Sequence, residues 1–392
     1  MNLLASVLTT NMALKRTPLL AAHQRLGARL VEFGGWEMPV QYSSIVEEHL
    51  TVRNAAGIFD ISHMGEVQVG GPCAERFLNR VLTNDVRRLA VGQAQYSLMC
   101  NERGGVVDDL YVYRVDEEDY LLIINASRIE ADWDWLQAQF DKMPLGEAFR
   151  LRNASESFGA VAVQGPRVKE FVNTAVSGGS IKGTLVGQVT DLQKNQVAAF
   201  VLEGISIFVA RTGYTGEDGF EVVAPAESIE VIWNRLLSVG QSYGLKPAGL
   251  GARDTLRTEM GYPLYGHELD EHTTPIEAGL GFFVALDKDD FVGRDVLASQ
   301  KTLGVLKKCV AFKMTGKSAP PRPGYVIGSS PPNPAPIGKV VSGTQSPTLG
   351  VGIGLGYVQP EFAKAGTAIE IEIRGQRAPA MIVPKPIYRK AA

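Results

Sequence analysis

A chain of 392 residues is longer than one hydrophobic core usually supports, so two or three units are expected. Its 45% apolar and 21% charged content is ordinary for a soluble globular protein. A net charge of −3 with scattered Lys and Arg excludes nucleic acid as the main partner, although a few placed basic residues would still serve an anionic small ligand.

The three cysteines, Cys73, Cys100 and Cys309, are far apart and form no CxxC, which points to buried thiols in a reducing compartment. No apolar run approaches the roughly 20 residues that span a bilayer. The first sixteen residues, MNLLASVLTTNMALKR, lack acid and end in Lys15-Arg16. A worn organelle-targeting stub stays open as a reading, but they are short and weakly basic for one, so a cytoplasmic start is expected, or the mitochondrial matrix in a eukaryotic source.

Residues 43–56, SSIVEEHLTVRNAA, predict a helix with a capping box of Ser44 and Glu47 and a stop at Gly57. Strands are expected at EVQVGG, QYSLMC, VVDDLYVYRV and YLLIINAS. A second capping box, Ser127 with Glu130, opens a helix with Ile129, Trp133, Leu136 and Phe140 on one stripe. A third helix is expected over 227–239, with Ile229, Ile232, Trp233, Leu236 and Leu237 on one face.

GPCAERFLN (71–79) and GPRVKEFVN (165–173) share Gly-Pro, Phe, an aliphatic residue and Asn at identical offsets, each after an apolar strand. The proline suits a helix's first turn. Two readings stay open, a duplicated α+β unit or two similar turns by chance.

Seven prolines lie between Pro320 and Pro336, so 315–336 reads as loop or polyproline-like chain. Beyond it, IGKVVSG, LGVGIGLGYV, AIEIEIR and PAMIVP are short glycine-punctuated β segments of a small barrel or sandwich. GVGIGLG at 350–356 has no convincing helix after it, which favours close strand packing over a dinucleotide loop. HELDEH at 267–272 sets its histidines five apart, off a common helix face, so a polar loop is expected there and no metal.

Three stretches carry candidate chemistry. In NERGGVVDDLYVYRV (101–115), glycines turn the chain and strand alternation puts Val107, Asp109, Tyr111 and Tyr113 on one face, and Asp108, Leu110 and Val112 on the other. Tyr96 lies in the partner strand and Asn125 ends the next one. This face would suit a planar, hydrogen-bonding ligand, while two turn-proximal aspartates bonding backbone remains the plainer reading. In ARTGYTGEDGFEVVAP (210–225), Glu221 sits among strand residues and is the acid most suited to being held, whereas Glu217 and Asp218 fit a solvated turn. In the third, 249–275, Arg253 and Arg257 could share a helix face near Glu259, the usual pattern of helix salt bridges. Arg253 follows a probable helix start, where a cation is disfavoured unless it meets an anion.

Together these motifs resemble the aminomethyltransferase (T-protein) family of the glycine cleavage system. The resemblance runs through RTPLL (16–20), FGGWEMPVQY (33–42), FDISHMGE (59–66), YSLMCNERGGVVDDL (96–110), RTGYTGEDGFE (211–221) and ARDTLRTEMGYPLYGHELDEHTTPIEAGL (252–280). It ends with residues 333–349 and a Tyr-Arg pair near the C-terminus.

The resemblance implies an α+β, three-domain cloverleaf around a central folate channel. Two related, interleaved α+β subdomains would occupy 15–285 and a C-terminal β-barrel 300–392. It implies transfer of the methylene of an aminomethyl group, carried on the lipoyl arm of a separate H-protein, to tetrahydrofolate. The products would be 5,10-methylenetetrahydrofolate and ammonia. Asp109 corresponds to the family's essential aspartate, with Asp108 structural. Folate contacts correspond to Met64, Tyr96, Tyr113, Asn125, Tyr214, Glu221, Arg253 and Tyr262, with Tyr388 or Arg389 closing the site. The family implies no metal and a monomer.

One departure is His267, where relatives often carry Asn or Gln after Tyr-Gly, a change that bears on a partner contact. Folate-dependent demethylases of related fold are the alternative, but the chain shows no GxGxxG-bearing flavin domain. Non-catalytic folate proteins of iron–sulfur assembly carry a KGCYxGQE-like loop, and RTGYTGEDGFE has no cysteine.

Overall fold

The computed structural model describes residues 13–143, 148–332 and 335–390. The expectation for the first sixteen residues falls mainly outside them. The described chain starts with a small sheet of β1 (Lys15–Arg16), β2 (Arg29–Phe33) and β3 (Trp36–Gln41), with helix α1 (Leu20–Arg25) between the first two strands. Helix α2 (Ile45–Asn54) leads into β4 (Ala56–Asp60). Thr17 Oγ1 donates to Asp60 Oδ2 at 2.7 Å and His23 Nε2 lies 2.9 Å from the same oxygen. These contacts fasten the opening segment to β4.

Next come β5 (Gly65–Gly70), α3 (Ala74–Val81), β6 (Ala94–Cys100), β7 (Val106–Arg114), β8 (Asp119–Ile124), α4 (Ile129–Phe140) and β9 (Arg150–Asn153). They are followed by β10 (Phe158–Gln164), α5 (Val172–Ala175), β11 (Lys182–Gly183), β12 (Val197–Leu202), β13 (Ile205–Ala210), β14 (Gly219–Pro225), α6 (Ile229–Gly240), β15 (Leu245–Pro247) and α7 (Leu250–Met260).

One sheet has the order β6-β7-β8-β5-β9 and the other β11-β12-β13-β14-β10-β4-β15. The runs β6-β7-β8-β5 and β12-β13-β14-β10 are the same arrangement, each with a helix after its last hairpin strand. Of the two readings of the Gly-Pro repeat, the fold therefore supports duplication. The repeat marks the same turn in both sheets. Gly71 and Gly165 have φ of 102° and 144°, and a Cβ on either would meet a backbone oxygen, of Ala148 or Ala55, at 2.3 Å. Only glycine fits that approach. The prolines do not sit in a helix's first turn: Pro72 precedes the N-cap Cys73, and after Pro166 the chain makes a 3₁₀ turn before the short α5.

Each sheet has one face under helices and one facing the other sheet. Val67, Phe77, Leu110, Val112, Ile129 and Leu136 form the helix-covered core of the first. Val161, Phe200, Phe220, Ile232 and Trp233 form that of the second. Between the sheets, Tyr113 and Leu121 meet Val197 and Ala210. Among the described residues, no helix is long and apolar enough to cross a membrane.

All three expected helices form, with different ends. Ser44 Oγ accepts from the Glu47 backbone N–H at 3.2 Å, but the Glu47 carboxylate pairs with Lys246 instead of completing the box. Gly57 does not stop α2. The helix ends at Asn54 with Ala55 as its C-cap, and Gly57 lies within β4, where a Cβ would press on Val52 at 2.5 Å. The second capping box is absent: Ser127 belongs to a 3₁₀ turn, no side chain caps α4, and Glu130 reaches Lys15. The deeply buried stripe of α4 is Ile129, Asp132, Leu136 and Gln139, with Trp133 and Phe140 only part-buried.

After α8 (Arg294–Leu303), six strands close a barrel in the order β16-β19-β18-β17-β20-β21. They are β16 (Lys308–Met314), β17 (Val326–Ser329), β18 (Pro336–Gln345), β19 (Gly352–Val358), β20 (Ala368–Ile373) and β21 (Gln376–Val383). The proline-rich segment thus supplies a strand, β17, where loop was expected. The GVGIGLG run is a barrel strand: a Cβ at Gly354 or Gly356 would strike Phe312 or Ile327 at 2.5 Å.

Candidate functional site

The β6–β7 hairpin begins the site. Its turn is held by Asn101, whose Oδ1 accepts from the N–H groups of Arg103 and Gly105, and by Gly104 at φ 79°. A Cβ on Gly105 would lie 1.9 Å from the Glu271 carbonyl oxygen. The pairing slips between Met99 and Cys100, which face Asp108 and Val106. This bulge leaves Val107 unopposed and breaks the alternation expected from sequence. Val107 joins Leu110 and Val112 under the helices, while Val106 meets Leu98 and Leu269 on the opposite side. From Asp108 onward the expected faces hold, and the two aspartates part.

Asp108 is buried under α4 and Asp109 is half-buried on the face toward the second sheet. Asn125, at the end of β8, joins them. Its backbone N–H and side-chain nitrogen donate to Asp108 Oδ2 and Oδ1 at 2.9 and 2.8 Å. The same side-chain nitrogen donates to Asp109 Oδ1 and the Asp109 carbonyl oxygen at 3.0 Å each. Tyr96 OH donates to the other Asp109 oxygen at 2.8 Å. Burial, then the neighbouring Asp108 charge, push the Asp109 carboxyl up to about 7, against the opposing pull of the Tyr96 and Asn125 hydrogen bonds. A carboxyl near neutrality can hold or release a proton at working pH.

Across the inter-sheet space, Glu221 of β14 pairs with Ala162 and Ala210 on its neighbouring strands. It accepts a hydrogen bond from Thr212 Oγ1, whose oxygen also lies 3.3 Å from Tyr113 OH. Arg253, in the second turn of α7, lies within electrostatic reach of Glu221 and 4.8 Å above the Tyr214 ring. Its buried Nη1 has no hydrogen-bond partner among the described residues. Tyr214 donates to the Pro263 carbonyl oxygen and stacks on Tyr262 at 5.8 Å between centroids. Met64 packs with Phe59, Ala160 and Val223 at the edge of this space. One carboxyl, one buried guanidinium with a free nitrogen and aromatic walls therefore converge on a region facing Asp109.

The acids and bases of α7 are paired otherwise than the sequence suggests. Arg257 bonds Asp254 at 2.7 Å and the buried Glu268 at 3.0 Å. Glu259 turns away from both helix arginines to Arg53 of α2, at 2.7 Å, and to Ser346 and Thr348 of the barrel. Glu217 is not a solvated turn residue: its side chain is buried and pairs with Arg53 at 2.9 Å. Asp218 pairs with Arg211 and Lys169. Tyr388 lies under the Arg53 guanidinium at 4.6 Å, and its N–H donates to the Glu259 carbonyl oxygen at 3.0 Å. Arg389 is exposed beside it. His267 Nδ1 donates to the Val341 carbonyl oxygen at 2.9 Å, a contact to the barrel within this chain.

Sequence reasoning missed Arg53, Thr212 and Asp132. Arg53 reads as the polar side of a surface helix, and Thr212 as loop filler. Asp132 did carry a signal: an acid on the apolar i, i+3, i+7 stripe of a helix.

Comparison with known proteins gives a consistent result. Residues 19–288 match the GCVT N-terminal domain family and residues 307–389 the glycine cleavage T-protein C-terminal barrel domain family. The chain is 46% identical over 383 residues to an aminomethyltransferase of Bacillus mycoides, covering 96% of this chain and 99% of that one. It is 45% identical over 380 residues to one from Desulfitobacterium hafniense, with 96% and 99% covered. A crystal structure of glycine cleavage system aminomethyltransferase T from Bartonella henselae superposes with a TM-score of 0.84 at 33% identity, covering 96% of this chain and 98% of that one.

Proposed function

Because the chain belongs to the glycine cleavage T-protein family and is an aminomethyltransferase, we propose that it transfers the methylene of a lipoyl-bound aminomethyl group to tetrahydrofolate. The carrier is a lipoylated H-protein, and the products are 5,10-methylenetetrahydrofolate, ammonia and the reduced lipoyl arm. Residues 15–285 form the folate-binding region and 300–392 the barrel that closes it. The protein acts as a monomer, and in the cytoplasm, a compartment that suits its three unpaired thiols.

Asp109 carries this reading: a half-buried carboxyl, held from two sides and pushed up to about 7, faces a region walled by tyrosines. The other residues fit a reduced pterin. Glu221 offers carboxylate oxygens to an amino edge. The buried, partnerless Nη1 of Arg253 offers a donor to a ring carbonyl. Tyr96, Tyr113, Tyr214 and Tyr262 supply flat walls, and Met64 an apolar edge. Tyr388, fixed on Arg53, closes the C-terminal side.

Tetrahydrofolate supplies the nucleophilic nitrogens that take the one-carbon unit. The protein's own part is orientation and charge. Tyr96 and Asn125 aim the Asp109 carboxylate, and its negative charge favours the positive charge that develops as ammonia departs. With a pKa near neutrality, Asp109 can also accept and return a proton at the folate nitrogens.

The test is formation of 5,10-methylenetetrahydrofolate from tetrahydrofolate and aminomethyl-loaded, lipoylated H-protein. Product that depends on this protein supports the reading. A folded, folate-binding protein that gives no product above the uncatalysed rate, but demethylates N-methyl amino acids with an electron acceptor, would replace it with the demethylase reading.

A further inference from the structure

The interior of α4 holds a carboxyl where an apolar side chain would be expected. Asp132 lies between Ile129 and Leu136 on the buried stripe and is fully buried. Neither of its oxygens receives an N–H hydrogen bond among the described residues. Arg128 Nε is 3.6 Å from Oδ1, beyond hydrogen-bond range, and is itself bonded to the Val107 carbonyl oxygen at 3.1 Å. The group within bonding reach is the Asp108 carboxyl. Two buried carboxyls in contact cannot both ionise, so one proton is shared by the pair. Asp108 accepts two N–H bonds from Asn125, which favour its ionised form, while Asp132 accepts none. The proton therefore sits on Asp132, which donates to Asp108.

We propose that Asp132 is a positioning residue for the transfer reaction: its carboxylic acid keeps Asp108 ionised and so fixes the Asn125 bridge and the charge state of Asp109. This rests on the role given to Asp109 above. Burial and the Asp108 charge push Asp132 up to about 11, in line with a protonated acid at neutral pH. The charged groups facing the pair are Asp109 from the same strand, Arg128 ahead of α4, and Tyr265 and Glu271 from the loop after α7, with Tyr96 bonded to Asp109.

Two variants and one spectrum test it. Isotope-edited infrared spectra of the free protein, above neutrality where Asp109 is ionised, should show one buried protonated aspartate carbonyl band that Asp132→Asn removes. Asp132→Asn keeps an N–H donor to Asp108, so the acidic limb of its kcat–pH profile should stay near the wild-type position. Asp132→Leu removes the donor. Asp108 then takes the proton, Asp109 loses its negative neighbour, and the acidic limb should move down by about one pH unit.

Absence of the band in the wild type, or an unmoved limb in Asp132→Leu, would overturn the proposal. If Asp132→Leu does not fold, the band and its loss in Asp132→Asn decide the matter without turnover. Failure of the Asp109 reading would appear separately, as wild-type activity in Asp109→Asn with the band still present.

Discussion

The side-chain nitrogen of Asn125 donates a hydrogen bond to Asp109 Oδ1 at 3.0 Å. The same nitrogen is anchored by Asp108 Oδ1 at 2.8 Å, so the amide is fixed by one carboxylate and aims the other. Asn125→Ala should lower kcat by about 100-fold, the usual loss when a preorganised donor at a reacting centre is removed. KM for tetrahydrofolate should change far less. Steady-state kinetics with loaded H-protein checks this, and a loss confined to KM would place Asn125 in binding alone.

If Asp109 acts in its ionised form, as proposed, activity should fall as pH drops through about 7, to which its carboxyl is pushed up. Tyr96 donates to that carboxylate at 2.8 Å and so favours the charged form. Tyr96→Phe removes the donor, raises the Asp109 pKa and should move the acidic limb of kcat to higher pH. A limb that stays put or moves down would show that the hydrogen bond does not tune this group.

Glu221 is held by Thr212 across the inter-sheet space from Asp109. Glu221→Gln should raise KM for tetrahydrofolate by about 10- to 100-fold, as expected when hydrogen bonds to a charged acceptor are lost. The effect on kcat should be small. Folate titration by fluorescence, independent of the carrier protein, measures it directly.

Glu259 joins α2, α7 and the barrel through Arg53, His49 and Ser346. Burial pushes its carboxyl up, but the hydrogen bond and charge of His49 together with the hydrogen bonds of Ser346 and Arg53 hold it at about 2. The folded state therefore binds this proton less readily than the unfolded chain. The resulting stabilisation is full above the ordinary glutamate value of 4.5 and is lost as pH falls toward 2. Glu259→Gln should cost about 3 kcal/mol at neutral pH, because Arg53 loses one of its two buried carboxylate partners, Glu217 being the other. Urea unfolding of both proteins at neutral pH and near pH 3 should show that difference shrinking with acid.

Much of the architecture was readable because local pattern and tertiary role agree. The stripe Ile229, Ile232, Trp233 and Leu236 is one face of α6 in sequence and in space. The Gly-Pro repeat was visible, but its cause was not: Gly71 and Gly165 each press on a neighbouring backbone oxygen, a long-range contact. The separation of Asp108 from Asp109 followed from strand alternation. The bulge at Val107 did not, because it depends on pairing with Met99 and Cys100. Capping boxes failed where Glu47 and Glu130 found distant lysines, Lys246 and Lys15. Glu217 and Glu259 were misread for the same reason: their partner, Arg53, lies more than 160 positions away in the chain.

The most direct measurement compares wild type with Asp109→Asn for 5,10-methylenetetrahydrofolate formation, with tetrahydrofolate affinity determined on the same samples. The substitution removes charge and preserves shape, so affinity should stay close to wild type while turnover falls by about 100-fold or more. Wild-type turnover in a variant that still binds folate would contradict the role assigned to Asp109.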